Sequence, residues 1–196
     1  MPIVPQPLPW GSFHCQKFTN GGKCDTCSHM RQTDHVHSYH FGTDIKIRGH
    51  LSHDYSPRGL IRWYIYTIED VPCKLIYCGS TQSPVARFSS YKSSCNSGKS
   101  KATGLSKHFM TGCPNDTGRQ KETLNLTLVD YMDTSVEKLT AVGHTGGGCV
   151  CSECCKLKVL EDKFMLRIGS LYSHGLNSGW RLLMIILGVL VIVIHS

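Results

Sequence analysis

The chain has 196 residues, with 21 Lys and Arg against 14 Asp and Glu, a formal charge of +7. That length suits one domain of ordinary size plus an appendage, and the modest basic excess is compatible with a phosphate-bearing partner. Eleven cysteines follow a start, MPIVPQPLPW, that has neither a basic n-region nor an apolar h-region. A secreted disulfide framework is therefore disfavoured, and metal binding is the expected use of the thiols.

Residues 1–12 are Pro-rich and are expected to be disordered. Residues 13–60 form a Cys/His-rich segment. It holds Cys15, Cys24 and Cys27, then His29, His35, His37, His40, His50 and His53. The Cys24-x-x-Cys27 spacing sets two thiolates on one tight turn, the bite that a tetrahedral Zn²⁺ requires. Asp44 to Arg48 alternates like a strand and would return His50 and His53 towards those thiols. The expected structural zinc set is Cys15, Cys24, Cys27 and His53, with His50 in reserve. Free surface cysteines are the alternative, and His35, His37 and His40 read as spacers.

Residues 61–178 carry the main domain. Tyr64-Ile65-Tyr66 and Tyr77-Cys78-Gly79 are short β-branched or aromatic runs, joined through Glu69-Asp70-Val71-Pro72, which has the residues of a turn. They predict a hairpin in which Tyr64 and Tyr66 share one face and Ile65 takes the other. Gly79 is expected to end the second strand, and Ser83-Pro84 to start a helix with Arg87 and Tyr91 on one face. No acidic residue falls between Pro84 and Asn115, whereas Arg87, Lys92, Lys99, Lys101 and Lys107 do. Such a run is either a solvated face or a surface for the DNA backbone. A helix is expected over Thr103–Gly112, with His108 satisfied or exposed, and a third strand over Glu122–Met132 that buries Leu124, Leu126 and Leu128. The glycine-rich link Gly143–Gly148 runs into Cys149, Cys151, Cys154 and Cys155. This Cys-rich insertion, 143–155, holds either a second metal or reduced thiols. Residues 156–172 then repeat Leu157, Leu160, Phe164, Ile168 and Leu171 as one helical stripe, with Glu161 on its shoulder.

These residues resemble the GIY-YIG nuclease family, named for two tripeptides on adjacent strands. Tyr64-Ile65-Tyr66 stands for the first, with Tyr64 in place of glycine, and Tyr77-Cys78-Gly79 for the second, with Cys78 in place of isoleucine. The family's arginine falls at Arg87, its second aromatic at Tyr91, its glutamate at Glu161 and its asparagine at Asn177. The cysteine-rich start, the phrase IKIRGHLSHDYSPRGLIRWYIYTI and the helix GLSKHFMTGCP are similar to the endonuclease domain of Penelope-like retroelements. The resemblance implies an α+β fold with a small three-stranded antiparallel sheet flanked by helices, preceded by the zinc-knuckle segment. It implies hydrolysis of DNA with Tyr66, Tyr77, Arg87, Tyr91, Glu161 and Asn177 as the catalytic set. Glu161 offers a hard oxygen suited to one Mg²⁺, and Arg87 a planar fork for a phosphate oxygen. A base role for Tyr66 needs a cation, Arg87 or Mg²⁺, to bring its pKa down from near 10.

In the tail, 179–196, Leu182 to Ile194 carry no charge. As a helix that run spans about 20 Å, short of the roughly 30 Å hydrocarbon core. A packed terminal helix or interfacial segment is expected; a membrane tether, or translated sequence under no selection, are the alternatives. The expected location is nuclear or cytoplasmic, or membrane-anchored, and not secreted. A non-catalytic zinc-containing nucleic-acid-binding module is the competing function.

Overall fold

The computed structural model describes residues 24–31, 33–48, 51–53, 60–97, 104–110, 124–136, 152–171 and 175–177. Helix α1 (Asp25–His29) leads to a small hairpin, β1 (His35–Ser38) and β2 (Thr43–Lys46). Then come β3 (Leu60–Asp70), β4 (Leu75–Thr81), α2 (Pro84–Ser97), α3 (Gly104–Met110), β5 (Leu124–Ser135) and α4 (Ser152–Ile168). Strands β4, β3 and β5 form one antiparallel sheet with β3 in the middle. The three-stranded sheet expected from the sequence is therefore present, with helices against it.

The alternation along β3 divides the core in two. Ile65, with Ile76, Cys78 and Val129, packs under Leu157, Phe164, Met165 and Ile168 of α4 and under Val36 and Ile45 of the small hairpin. Tyr64, Tyr66 and Ile68, with Leu124, Leu126 and Leu128, pack on the other face against Phe88 and Tyr91 of α2 and Leu105 of α3. Adjacent residues of β3 thus serve opposite layers, as the pleat requires. A register shift between Ile65 and Tyr66 leaves Val129 of β5 without a residue opposite it on β3; Val129 packs on the α4 face, next to Leu128 on the other.

Local chemistry explains the helix ends. Ser83 caps α2: its Oγ accepts from the Ala86 N–H at 3.3 Å, and Pro84 fills the first position, where no donor is missed. Helix α4 stops at Gly169, whose φ of +68° allows the Ser170 N–H to reach the Met165 carbonyl at 3.0 Å.

Several boundaries differ from expectation, three of them near the site. The hairpin turn occupies residues 71–74, because Glu69 and Asp70 stay in β3 and are buried. Glu69 is tied by Tyr39 Oη and by Arg31 Nη1 at 3.0 Å, and Asp70 by His108 Nε2 at 2.8 Å, so two acids that looked like turn residues complete a strand. Gly79 does not end β4, which continues to Thr81 through pairs with Ile65 and Tyr64. Helix α4 begins at Ser152, so Cys154 and Cys155 belong to it rather than to an insertion before it. Cys149 and Cys151, like the tail at 179–196 and residues 1–12, lie outside the described residues. No helix among the described residues is long and apolar enough to cross a membrane.

Candidate active site

Three tyrosines meet on the α2 face of the hairpin. Tyr66 of β3 and Tyr91 of α2 share a hydrogen bond between hydroxyls at 2.9 Å, and the Tyr77 ring stands edge-on to Tyr91 at 5.4 Å between centroids. Tyr66 lies opposite Gly79 across the ladder, and the absence of a side chain there is what lets the Tyr66 hydroxyl sit over β4. Arg87, one turn before Tyr91, is exposed and holds its guanidinium carbon 5.8 Å from the Tyr91 ring centre. The expected pairing of Arg87 and Tyr91 on one helical face is realised.

The electrostatics run against a tyrosine base in the free protein. Burial pushes the Tyr66 hydroxyl well above its usual range, Tyr91 and Tyr77 add to the push, and the Arg87 charge pulls the other way. Tyr77 is likewise raised, by burial first, then by Tyr91 and by the Glu161 charge, with Arg87 again opposing. Arg87 acts in the expected direction, yet desolvation of the phenolate outweighs it.

Glu161 approaches from the other layer. It projects from α4, which packs on the opposite face of the sheet, and its Oε2 accepts from Ser80 Oγ at 2.5 Å at the end of the edge strand. The tyrosines and the glutamate therefore flank β4 rather than share one face. Tyr66 and Tyr77 stand against Gly79, Glu161 is bonded to the next residue, Ser80, and the carboxylate charge is felt at Tyr77. Lys158 completes the surroundings of Glu161, with Nζ 3.3 Å from Oε1.

Asn177 closes that edge. Its Oδ1 accepts from the Cys78 N–H at 2.7 Å and its Nδ2 donates to the Cys78 carbonyl at 2.6 Å. The Leu176 N–H adds a bond to the Ile76 carbonyl at 3.0 Å, and the Asn177 N–H reaches Ser170 at 2.8 Å. Both ends of the amide are occupied by backbone, so Asn177 holds β4 to the segment after α4. In this placement Asn177 anchors the edge strand; a direct contact with phosphate would require those bonds to open.

Of the basic run, Lys92 turns inward. Its ammonium meets Asp25 at 2.8 Å and His29 Nε2 at 3.2 Å, with the Phe88 ring 5.9 Å away. It is therefore engaged in docking α1 onto α2 instead of facing a nucleic-acid backbone. Arg87 and Lys107 are exposed. Lys99 and Lys101 lie outside the described residues.

Three of the four residues expected as zinc ligands lie close enough together that they could hold a metal ion. His53 Nε2 lies 3.2 Å from Cys27 Sγ and 3.5 Å from Cys24 Sγ, and the three ligand atoms are all within 4.8 Å of one another. Two sulfurs and one ring nitrogen at that separation fit a zinc-sized ion. Cys15 and His50 lie outside the described residues. A second group, Asp70, Cys73 and His108, was not read from the sequence, because strand pairing and α3 bring it together. Cys73 is disulfide-bonded, against the expectation that the cysteines serve metal. A sulfur so engaged offers no thiolate; His108 is bonded to Asp70 at 2.8 Å, in line with the satisfied reading of that histidine.

Ser80, Lys158 and Asp162 were also missed. Ser80 directly follows Gly79, and Lys158 and Asp162 lie at helical spacing from or next to Glu161; those positions were the available signal.

Residues 62–133 match the family model of the GIY-YIG catalytic domain. The match runs through β3, β4, α2, α3 and most of β5, and ends before α4 and Asn177. No curated protein and no solved structure matches the chain.

Proposed function

We propose that the chain is a metal-dependent DNA endonuclease of the GIY-YIG type, similar to the endonuclease domain of Penelope-like retroelements. The observation that supports the reading is the grouping of Tyr66, Tyr77, Tyr91 and Arg87 on one face of the β3–β4 hairpin, within the matched domain, with Glu161 bonded to Ser80 of the same edge strand. The cysteine-rich knuckle ahead of β3 supports the retroelement likeness.

Arg87 reaches solvent at the mouth of the tyrosine cluster, where its fork suits a phosphate oxygen gaining charge. The Glu161 carboxylate, oriented by Ser80, would hold Mg²⁺, which supplies Lewis acidity to the phosphate and the leaving oxygen. Tyr66 and Tyr91 pass a hydrogen bond between them and direct the attacking oxygen. Proton removal by Tyr66 requires added positive charge, since burial keeps its hydroxyl protonated at neutral pH. Cys24, Cys27 and His53, with Cys15 as fourth ligand, would hold a structural Zn²⁺ and supply fold stability. Lys99, Lys101 and Lys107 would track the DNA backbone. The protein works in the nucleus or cytoplasm under this reading.

The test is nicking of supercoiled DNA with Mg²⁺. The wild-type chain is expected to nick, and Arg87→Ala and Glu161→Ala each to lose about 10²–10³-fold in rate. No nicking by the wild type, or nicking by both variants at the wild-type rate, overturns the nuclease and leaves the zinc-containing DNA-binding module. The upward push on the tyrosine hydroxyls is the observation that favours that second reading.

A further inference from the structure

Helix α4 carries an ammonium shared between two carboxylates. Lys158 Nζ lies 3.3 Å from Glu161 Oε1 and 3.1 Å from Asp162 Oδ1. The exposures are graded: the Lys158 side chain is 52% exposed, that of Glu161 15% and that of Asp162 0%. Asp162 is the unusual member. It is fully buried, with Lys158 Nζ at ion-pair distance from its Oδ1. A buried carboxylate needs a counter-charge, and among the described residues Lys158 supplies it.

Glu161 has both oxygens engaged. Ser80 Oγ donates to Oε2, and Lys158 faces Oε1. A divalent ion approaching Oε1 meets the ammonium already there, and two cations do not share one oxygen at such distances without strong repulsion. Asp162 gives the ammonium another carboxylate that it already touches. The Ser80 bond, on the far oxygen, need not break.

We propose that Lys158 is a positioning residue: it is the resident counter-ion of Glu161 and passes wholly to Asp162 when a divalent cation takes Oε1. This rests on the reading of Glu161 as a cation ligand. Glu161 is thereby kept oriented and neutralised in the free protein, and Asp162 is kept paired in the loaded one. Neutralising Asp162 alone strands the ammonium on Glu161 and opposes the incoming ion. Removing both Lys158 and Asp162 leaves Glu161 unopposed, without creating an unpaired buried charge. The two changes therefore move cation affinity in opposite directions, which a purely structural ion pair would not do.

The experiment is Mn²⁺ binding to the full zinc-saturated chain, followed by electron paramagnetic resonance, for wild type, Glu161→Gln, Asp162→Asn and the double variant Lys158→Met with Asp162→Asn. Thermal melts confirm that each is folded. Asp162→Asn is expected to bind about fivefold more weakly than wild type and the double variant about fivefold more tightly, the scale of a half-exposed ion pair. Binding that is lost in Glu161→Gln but unchanged in both other variants, or shifted the same way in both, overturns the role of Lys158 alone. Binding that is absent in every protein, or unaffected by Glu161→Gln, overturns the cation reading of Glu161 and the inference with it.

Discussion

Tyr66 and Gly79 face each other across the β3–β4 ladder so closely that a β-carbon on Gly79 would lie 2.7 Å from the tyrosine hydroxyl and 3.0 Å from the Tyr77 ring. The glycine is thus part of the site, since it makes the space in which two catalytic candidates meet. Gly79→Ala is expected to lower stability by about 1–3 kcal/mol, the usual range for overpacking. Displacing Tyr66 should also slow nicking by about 10²-fold, the scale of a misplaced reacting group. Urea denaturation and the nicking rate, measured on the same preparation, check both. Wild-type values for both would mean that the hydroxyl position is not critical.

Alkaline pH should expose the buried tyrosines. Tyr66 and Tyr77 are held above the ordinary phenol range by burial, while the unfolded chain titrates near 10. Below pH 10 both states carry the proton and this stabilising difference is fully present. Above pH 10 the unfolded state loses its protons first, so stability falls as pH rises. Tyr39, raised to about 12 by burial and by its bond to Glu69, acts in the same direction. Stability measured at pH 8 and at pH 10.5 should drop less for Tyr66→Phe with Tyr77→Phe than for wild type. An equal drop would mean that these hydroxyls titrate normally.

Asn177 should behave as a strand surrogate. Truncation to Ala leaves the buried Cys78 N–H and carbonyl without their partner, a loss of about 1–3 kcal/mol. Asn177→Asp keeps the acceptor but forfeits the donor to Cys78, and is expected to be no better. Equilibrium unfolding provides the number. A change within about 0.5 kcal/mol, typical of an inert surface site, would remove the anchor role.

Loss of the Zn²⁺ proposed at Cys24, Cys27 and His53 should loosen the helix that bears Arg87. Helix α1 is fastened to β5 by the Arg31 N–H bonded to Leu126 at 2.8 Å, and by His29 Nδ1 at 3.1 Å from the Leu124 carbonyl. It is fastened to α2 by Lys92 and Asp25, and Tyr64 Oη donates to the Ser52 carbonyl beside His53 at 3.1 Å. Chelation, or His53→Ala, is therefore expected to lower the melting temperature and speed amide exchange in α2, with Zn²⁺ restoring the chelated protein but not the variant. Val159→Ala, at an exposed position on α4 with no metal-binding atom, serves as the control that keeps zinc content unchanged. Unaltered melting after complete zinc removal would make the knuckle dispensable for folding.

Much of the site was legible because its elements have simple periods. Tyr64, Ile65 and Tyr66 divide between faces by the two-residue repeat of a strand, and Arg87 and Tyr91 meet by the four-residue spacing of a helix. Ser83-Pro84 marks a helix start in any context, and one is found there. Lys92 was misread for want of a partner: its charge is visible in the chain, but Asp25, 67 positions earlier, is not visibly its neighbour. Glu69 and Asp70 were misread in the same way, since acids beside proline suggest a turn until Tyr39, Arg31 and His108 are brought to them.

The strand–strand–helix unit, the face that each tyrosine takes, the pairing of Cys24 with Cys27 and the helix that bears Glu161 can be read from the chain alone, because these depend on backbone geometry and spacing over a few residues. Three-dimensional packing was needed to bring Glu161 to Ser80 at the edge of β4, to pair Asn177 with Cys78, and to stand Lys158 between Glu161 and a buried Asp162. The pairings at Ser80 and Cys78 join residues 81 and 99 positions apart, and the burial of Asp162 depends on what α4 packs against. Burial also set the direction in which the tyrosine hydroxyls shift, since desolvation depends on everything that surrounds a group and not on its neighbours in the chain.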